Sequence, residues 1–417
     1  MRKVPDLRFA GFDGEWEEKK FSGNFDTTIP KNSLSRDKLT NQVTRVKNIH
    51  YGDIHKIFDN VLQSSNERIP HIINDDLSTH ERYFLQDGDI IFTDAAEDNT
   101  AGKCVELDID DGSNIVAGLH TIPARPIKFG KYFYGFYLNS NSFHNKIVPL
   151  LEGTKVSSIS KSNLNTLSVI VPKVEEQEKI GDLFRKLDDL IEIQEGKVAK
   201  MRDYKKSMLQ KMFPKKDELV PEFRFDGFDS NWFVSRLGEV TSLRGGYAFK
   251  SQNYIENGIP ILRISNINSN GTTNEDYVYY TEILNDDNIS LYNGAIVLAM
   301  SGATTGKVSI LKTQGKVYQN QRVGYFTKSD RIDYLYLSVI LRSHLFTSQL
   351  DKILIAGAQP NISSKDVEDF SFKLPSLEEQ VKIGQFFKNL DTQIENEEKL
   401  LDSYKMMKKS LLQKMFV

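Results

Sequence analysis

Residues 172–188 read PKVEEQEKIGDLFRKLD, and residues 375–391 read PSLEEQVKIGQFFKNLD. The offset is 203, and it also carries Ser207, Leu209, Gln210, Lys211, Met212 and Phe213 onto Ser410, Leu412, Gln413, Lys414, Met415 and Phe416. No insertion separates the matching blocks, and a fixed length between them implies one continuous helix in each copy. With Phe184 at heptad position a, Leu187, Ile191, Val198, Met201 and Met208 follow at a or d, and the second copy supplies Phe387, Leu390, Ile394, Leu401, Tyr404 and Leu411. A seam sustained over four heptads predicts a partner helix rather than a globular core, and the obvious partner is the other copy.

Charge predicts the orientation. Residues 173–195 carry eight Asp/Glu against four Lys/Arg, whereas 196–216 carry one Asp against eight Lys/Arg. This gradient suits each helix's own macrodipole, and it sets acid against base only if the two helices run antiparallel. Gln194 and Glu397, the polar d positions, are then expected to meet near the middle and fix register. About 40 residues at ~1.5 Å each make a strut of roughly 60 Å.

A second repeat marks the front of each half: Pro5, Arg8, Phe9, Gly11, Phe12, Asp13 and Trp16 recur as Pro221, Arg224, Phe225, Gly227, Phe228, Asp229 and Trp232, at offset 216. Two half-molecules have therefore diverged between shared ends. The intervening stretches keep a common trace. Leu85–Ile90 resembles Leu291–Ile296 as a turn feeding a strand, Gly102-Lys103 matches Gly306-Lys307, and Leu138, Ser140 and Phe143 match Leu341, Ser343 and Phe346 inside an expected helix. Each stretch reads as the same mixed α/β domain with different loops, and loops that differ on matched scaffolds are where recognition resides.

At 417 residues the chain holds two to three domains. One cysteine, Cys104, excludes an internal disulfide framework, and no apolar run suits a signal segment or membrane span, so a cytoplasmic location and no membrane partner are expected. A net charge of −3 neither favours nor excludes nucleic acid, because an acidic protein-binding face can mask a basic one in the sum.

Catalytic motifs are missing or degenerate. Gly302–Val308 has three residues between its glycines and Val308 after Lys307, where a phosphate loop needs four and a Ser/Thr. Asp6, Glu17 and Lys19 formally match a nuclease pattern, but the second half has Glu222, Phe233 and Ser235 there. The seven histidines show no metal-ligand spacing. No catalytic residue, metal site or cofactor is therefore assigned to the chain.

Side chains suited to base reading do cluster. The second half offers Arg244, Tyr247 and Lys250 in a glycine-containing loop, Arg263 with Asn266, Ser301, Thr304, Thr305 and Lys307, and the run Gln319-Asn320-Gln321-Arg322. The first half offers Thr93, Asp94, Lys103 and His120 at corresponding turns. Arg pairs with guanine, and Asn or Gln with adenine, through two hydrogen bonds in the major groove.

With its two variable stretches, its repeated blocks at 5–16, 172–213, 221–232 and 375–416, and Glu-Glu-Gln-x-Lys-Ile-Gly at the start of each helix, the chain resembles the specificity subunit of Type I restriction-modification enzymes. The resemblance implies an α+β fold: two mixed α/β target-recognition domains in a pseudo-two-fold arrangement, separated by two long antiparallel coiled-coil helices. The expected segments are a first recognition domain at 1–171, a central helix at 172–214, a second recognition domain at 215–374 and a C-terminal helix at 375–417. The resemblance further implies a non-catalytic subunit that reads a bipartite target in double-stranded DNA, one half-site per domain, with the helices as ruler. Two modification (methyltransferase) subunits would bind S-adenosylmethionine and methylate adenine, and restriction (motor-nuclease) subunits would use ATP and Mg. One departure is Phe21-Ser22-Gly23-Asn24, where the second half has the family-like Leu237-Gly238-Glu239-Val240, so the first domain is expected to begin differently. The competing readings are a non-DNA coiled-coil assembly scaffold, which predicts no selective DNA binding, and a metal-dependent nuclease, which predicts cleavage by the isolated chain.

Overall fold

The structure, a computed structural model, describes residues 3–73, 76–98, 100–109, 112–153, 155–356 and 361–417. It divides into two compact units, Met1–Gly196 with Lys399–Val417 (unit 1) and Lys197–Glu398 (unit 2). Two long helices supply the repeated segments, a central helix Val174–Lys211 and a C-terminal helix Leu377–Met415. Each has two glutamates in its first turn and a lysine in its last, which complements the helix dipole at both ends.

Within each unit the helix portions run antiparallel. In unit 1 Asp188 pairs with Lys408, and Glu195 with Lys405 at 2.6 Å, so one chain advances as the other retreats. In unit 2 Lys197 pairs with Glu397 at 2.7 Å and Lys205 with Asp391. Lys205 and Lys408 occupy a positions of the heptad, where the periodicity alone expects apolar groups. Each carries an ion pair instead, and desolvation of Asp188 pushes its carboxyl up while Lys408 draws it down. Phe184, Leu187, Val198, Met208, Phe387, Leu390 and Ile394 are buried, and Ile191, Met201, Leu401, Tyr404 and Leu411 are half-buried. Phe184 stacks on Phe416 at 5.5 Å in unit 1, and Phe387 on Phe213 at 6.5 Å in unit 2.

The helix-start motif is explained residue by residue. Arg8 grips the Glu176 carboxylate with Nε at 2.7 Å and Nη2 at 2.8 Å. Arg224 grips Glu379 in the same way, at 2.8 and 2.7 Å. Gln177 accepts from the Gly130 amide and donates to the Pro172 carbonyl, and Gln380 does so with Asp333 and Pro375. Lys179 lies 5.0 Å from the Phe12 ring and Lys382 4.8 Å from that of Phe228. A Cβ on Gly181 would sit 2.2 Å from the Lys131 carbonyl oxygen, and one on Gly384 2.7 Å from the Tyr336 nitrogen, so only glycine lets the neighbouring helix approach. The two sequence repeats, at different offsets, are thus two faces of one contact.

The sheets also match. In unit 1 the five-stranded sheet runs Phe25–Asp26, Thr121–Pro126, Ile90–Thr93, Cys104–Asp108, Val61–Gln63. Unit 2 repeats the first four places with Leu243–Arg244, Val323–Phe326, Ile296–Ala299 and Val308–Ile310. The central strands Ile90–Thr93 and Ile296–Ala299 are buried throughout, as their apolar runs require. Each follows a left-handed glycine, Gly88 at φ 79° and Gly294 at φ 84°. A second four-stranded sheet holds one parallel pair in each unit, Val46–Ile49 with Asn114–Ala117 and Ile259–Leu262 with Val317–Gln319.

Two expectations need correction. Phe21–Asn24 and Leu237–Val240 both form a four-residue helix after an antiparallel strand. The leading residue is fully buried in each, and its amide donates to Leu167 or Phe370. The first domain therefore opens as the second does, because a buried apolar side chain at that place suffices. The expected helix through Leu138, Ser140 and Phe143 is two helices, Phe133–Leu138 and Asn141–Ile147, as its counterpart is Tyr334–Leu341 and His344–Ala356. Ser140 and Ser343 turn their hydroxyls back onto the carbonyls of Tyr137 and Ile340 at the break.

Arg8→Ala leaves Glu176, 1 % exposed, as an unpaired buried carboxylate, and should cost about 3–5 kcal/mol in urea unfolding; adding Glu176→Leu should recover part of that loss. Two glycines of the central helix should respond with opposite sign. Gly196 has open space around it, so Gly196→Ala should stabilise by up to ~1 kcal/mol. Gly181→Ala should destabilise despite the same gain in helix propensity, as thermal melts of both variants would show.

Candidate nucleic-acid interface

In unit 2 the candidate base readers separate into braces and outward groups. Asn266 is fully buried, donates to Asn274 and to the Asp276 carbonyl, and accepts from the Arg263 amide at 2.8 Å. Gln319 is equally buried, and its Nε2 donates to the carbonyls of Arg244 and Val323 at 2.8 and 2.7 Å. Arg244 bonds the carbonyls of Asp287 and Ser290 and lies over the Tyr325 ring at 4.8 Å. Arg263 donates to the Asp276 carbonyl at 3.2 Å. Thr304 and Thr305 donate to the carbonyls of Ile264 and Gly302. These side chains hold loop backbone in place.

Tyr247, 48 % exposed, with Lys250, Gln321 and Arg322, faces solvent, while Asn320 and Lys307 are half-buried. Tyr247 and Asn320 are brought together by a parallel bridge, and the Gln321 amide donates to the Tyr247 carbonyl at 2.9 Å. Ser301, Gln321 and Arg322 share a cleft of about 650 Å³ with Asn361. Ser301 Oγ is buried there with no hydrogen-bond partner. Asn361 is not legible in the sequence as a site residue, because a single antiparallel bridge to Ser301, distant in the chain, brings it in.

In unit 1 Thr93 is fully buried and donates to the Lys103 carbonyl. Lys103 reaches the carbonyls of His55 and Phe58 at 3.3 and 3.4 Å, and burial pulls its ammonium pKa down. Asp94 and His120 meet at 3.0 Å, and Lys31 bonds the other carboxylate oxygen at 2.9 Å. Tyr51, His55 and Thr100 adjoin them: the Tyr51 ring stands edge-on to His120 and to His55, and Thr100 contacts His55. The histidines flanking Tyr51 were a visible signal, but their approach to His120 depends on non-local pairing of strands.

The two sites share one backbone frame. The amides of Asp94 and Met300 donate to the carbonyls of His120 and Arg322, and the amides of Ile159 and Ile362 donate to the carbonyls of Asp94 and Met300. Gly102 and Gly306 likewise donate to Thr93 and Ala299. His120 therefore stands in unit 1 where Arg322 stands in unit 2. Elsewhere, Glu17 is bridged by Lys19 and Glu18 by Lys3. Among the described residues no three His, Cys, Asp or Glu form a group that could hold a metal ion, and no helix is long and apolar enough to cross a membrane.

Comparisons with known proteins agree with this architecture. The chain is 29% identical over 271 residues to the MjaVIII specificity subunit of a Type I restriction enzyme from Methanocaldococcus jannaschii, covering 63% of this chain and 64% of that protein. The chain thus spans under two thirds of that relative's length. A putative type I restriction enzyme MjaX specificity subunit from the same organism is 22% identical, over 95% of this chain and 92% of its own. Among solved structures, the Type-I restriction-modification system S subunit from M. genitalium shares the fold with a TM-score of 0.62 at 16% identity, covering 99% of each chain. The family described as Type I restriction modification DNA specificity domain matches residues 15–201 and 229–404, and the chain, with its duplicated sheets and helices, belongs to that family.

Proposed function

We propose that this chain is the DNA-reading subunit of a Type I restriction-modification complex. Each unit reads one half of a split double-stranded target, and the helix pair sets the spacer between the halves. The observation that carries the reading is the shared backbone frame that presents different side chains in the two units, Asp94 and His120 against Ser301, Gln321 and Arg322. A common scaffold with unlike readers suits a target whose halves differ. Scattered Lys and Arg, among them Lys250 and Lys307, contact phosphate and set position, while a few loop side chains read base edges.

The chain itself is non-catalytic in this reading. Methylation of adenine with S-adenosylmethionine, and cleavage driven by ATP and Mg, belong to partner subunits in the cytoplasm. Two copies of the modification subunit are expected, because the front repeat presents exposed apolar groups at matching places in both units. Val4 and Leu7 are 41 and 42 % exposed, and Val220 and Phe223, at the same places in the repeat, are 39 and 46 % exposed. Arg8 and Arg224 brace the start of the helix within their own unit, whereas the side chains of Leu7 and Phe223 are exposed at matching places, and one partner docking twice accounts for both.

Co-expression with the modification subunit, followed by mapping of methylated adenine, tests the reading: a single split motif is expected, and no new methylation by an intact complex would sink it. Lengthening both helices by one heptad, after Gly196 and after Lys399, adds ~10 Å, about three base pairs at ~3.4 Å each. The spacer should grow by that amount with both half-sites unchanged. Leu7→Asp or Phe223→Asp should each reduce the modification subunits bound from two to one, as native mass spectrometry would show.

A further inference from the structure

The matched frame narrows the readers to one position in each unit. His120 and Arg322 hold the same place, the residue whose carbonyl accepts from the chain leaving the central strand. Both are exposed. His120 adopts a left-handed backbone at φ 56°, a conformation uncommon outside glycine and one in which Asn, Asp and His are over-represented. The surrounding contacts hold its ring in one orientation. Asp94 Oδ1 takes Nδ1 at 3.0 Å, Lys31 anchors Asp94 Oδ2 at 2.9 Å, and Tyr51 stands edge-on with ring centres 5.2 Å apart. A carboxylate at Nδ1 places the proton of a neutral imidazole there, which leaves Nε2 as a hydrogen-bond acceptor.

Arg322 differs in chemistry and not in place. Its amide is fixed by Asn320 Oδ1 at 3.1 Å, which sets the turn, and the exposed residue lines the cleft that also holds the unpartnered Ser301 hydroxyl and Asn361.

We infer that His120 and Arg322 are the paired specificity-determining residues of the two units: His120, oriented by Asp94, reads an amine-bearing base, and Arg322 reads guanine. The inference rests on the DNA-reading function proposed above. In the major groove an acceptor such as Nε2 matches the exocyclic amine of adenine or cytosine, whereas the guanidinium fork matches O6 and N7 of guanine. Asp94 is a positioning residue, because it fixes which ring nitrogen carries the proton. Each unit would thus change its preferred base by exchanging one side chain whose backbone bonds do not depend on it.

The test is a methylated-adenine map for the complete complex carrying His120→Ala, Asp94→Ala or Arg322→Ala. His120→Ala should relax one base pair in one half of the motif, with discrimination there falling on the order of ten- to a hundredfold. Asp94→Ala should relax the same base pair, and Arg322→Ala one G·C pair in the other half. A purely structural role would lower methylation without changing which base is preferred. If the His120→Ala complex does not assemble, His120→Gln, which keeps an acceptor, should retain the preference, and its loss would overturn the assignment. An unchanged motif in His120→Ala and Arg322→Ala, or equal weakening at every position, would also overturn it while leaving the DNA-reading function intact. A wild-type complex that yields no split motif would remove that function and this inference with it.

Discussion

Two buried carboxylates, Glu176 and Glu379, hold the front of each half against the start of its helix. Each is 1 % exposed and taken by both arms of one guanidinium. A carboxylate moved out of water costs several kcal/mol unless its partner is well placed, so position and partner specify each other. The partners lie 168 and 155 residues apart in sequence. Closing that distance sets Glu17–Lys20 beside Ser168–Val171, and Phe233–Arg236 beside Ser371–Leu374, where each unit's chain enters and leaves its domain. Between those fixed ends the chain can vary in length, which reconciles an offset of 216 at the front with 203 at the helix.

The helices were legible in the sequence because their signals are local and doubled: heptad spacing, acidic starts, and two copies of equal length. The sheets were legible only as a trace of turns and apolar runs. Pairing between Ile259–Leu262 and Val317–Gln319, or Val46–Ile49 and Asn114–Ala117, joins strands that no periodicity connects. Lys205 and Lys408 show the same limit inside the helices. By heptad they belong to the apolar seam, and only the facing Asp391 and Asp188 explain them.

Site residues were hardest to read because residue type does not reveal direction. Asn266 and Gln319 have the chemistry that reads adenine, yet their amides are spent on neighbouring backbone groups inside unit 2. A buried amide satisfies carbonyls that a loop leaves over, and an exposed one addresses a ligand; the sequence is the same in both cases. Direction is set by strands that arrive from far along the chain, as Tyr51 and His120 arrive together in unit 1.

The division between repeated and divergent positions then follows from what each side chain supports. Glu176, Gln177 and Gly181 cannot change singly, since each change strands a buried charge, opens a backbone hydrogen bond or forces a Cβ against a carbonyl. At His120 and Arg322 the frame is carried by main-chain bonds, their carbonyls accepting from the amides of Asp94 and Met300, and not by their side chains. Replacing the side chain there alters what the surface presents while the main-chain bonds beneath it stay in place. A fold built this way can vary its readers one residue at a time, because the interactions that fix it and the groups that face outward are different atoms.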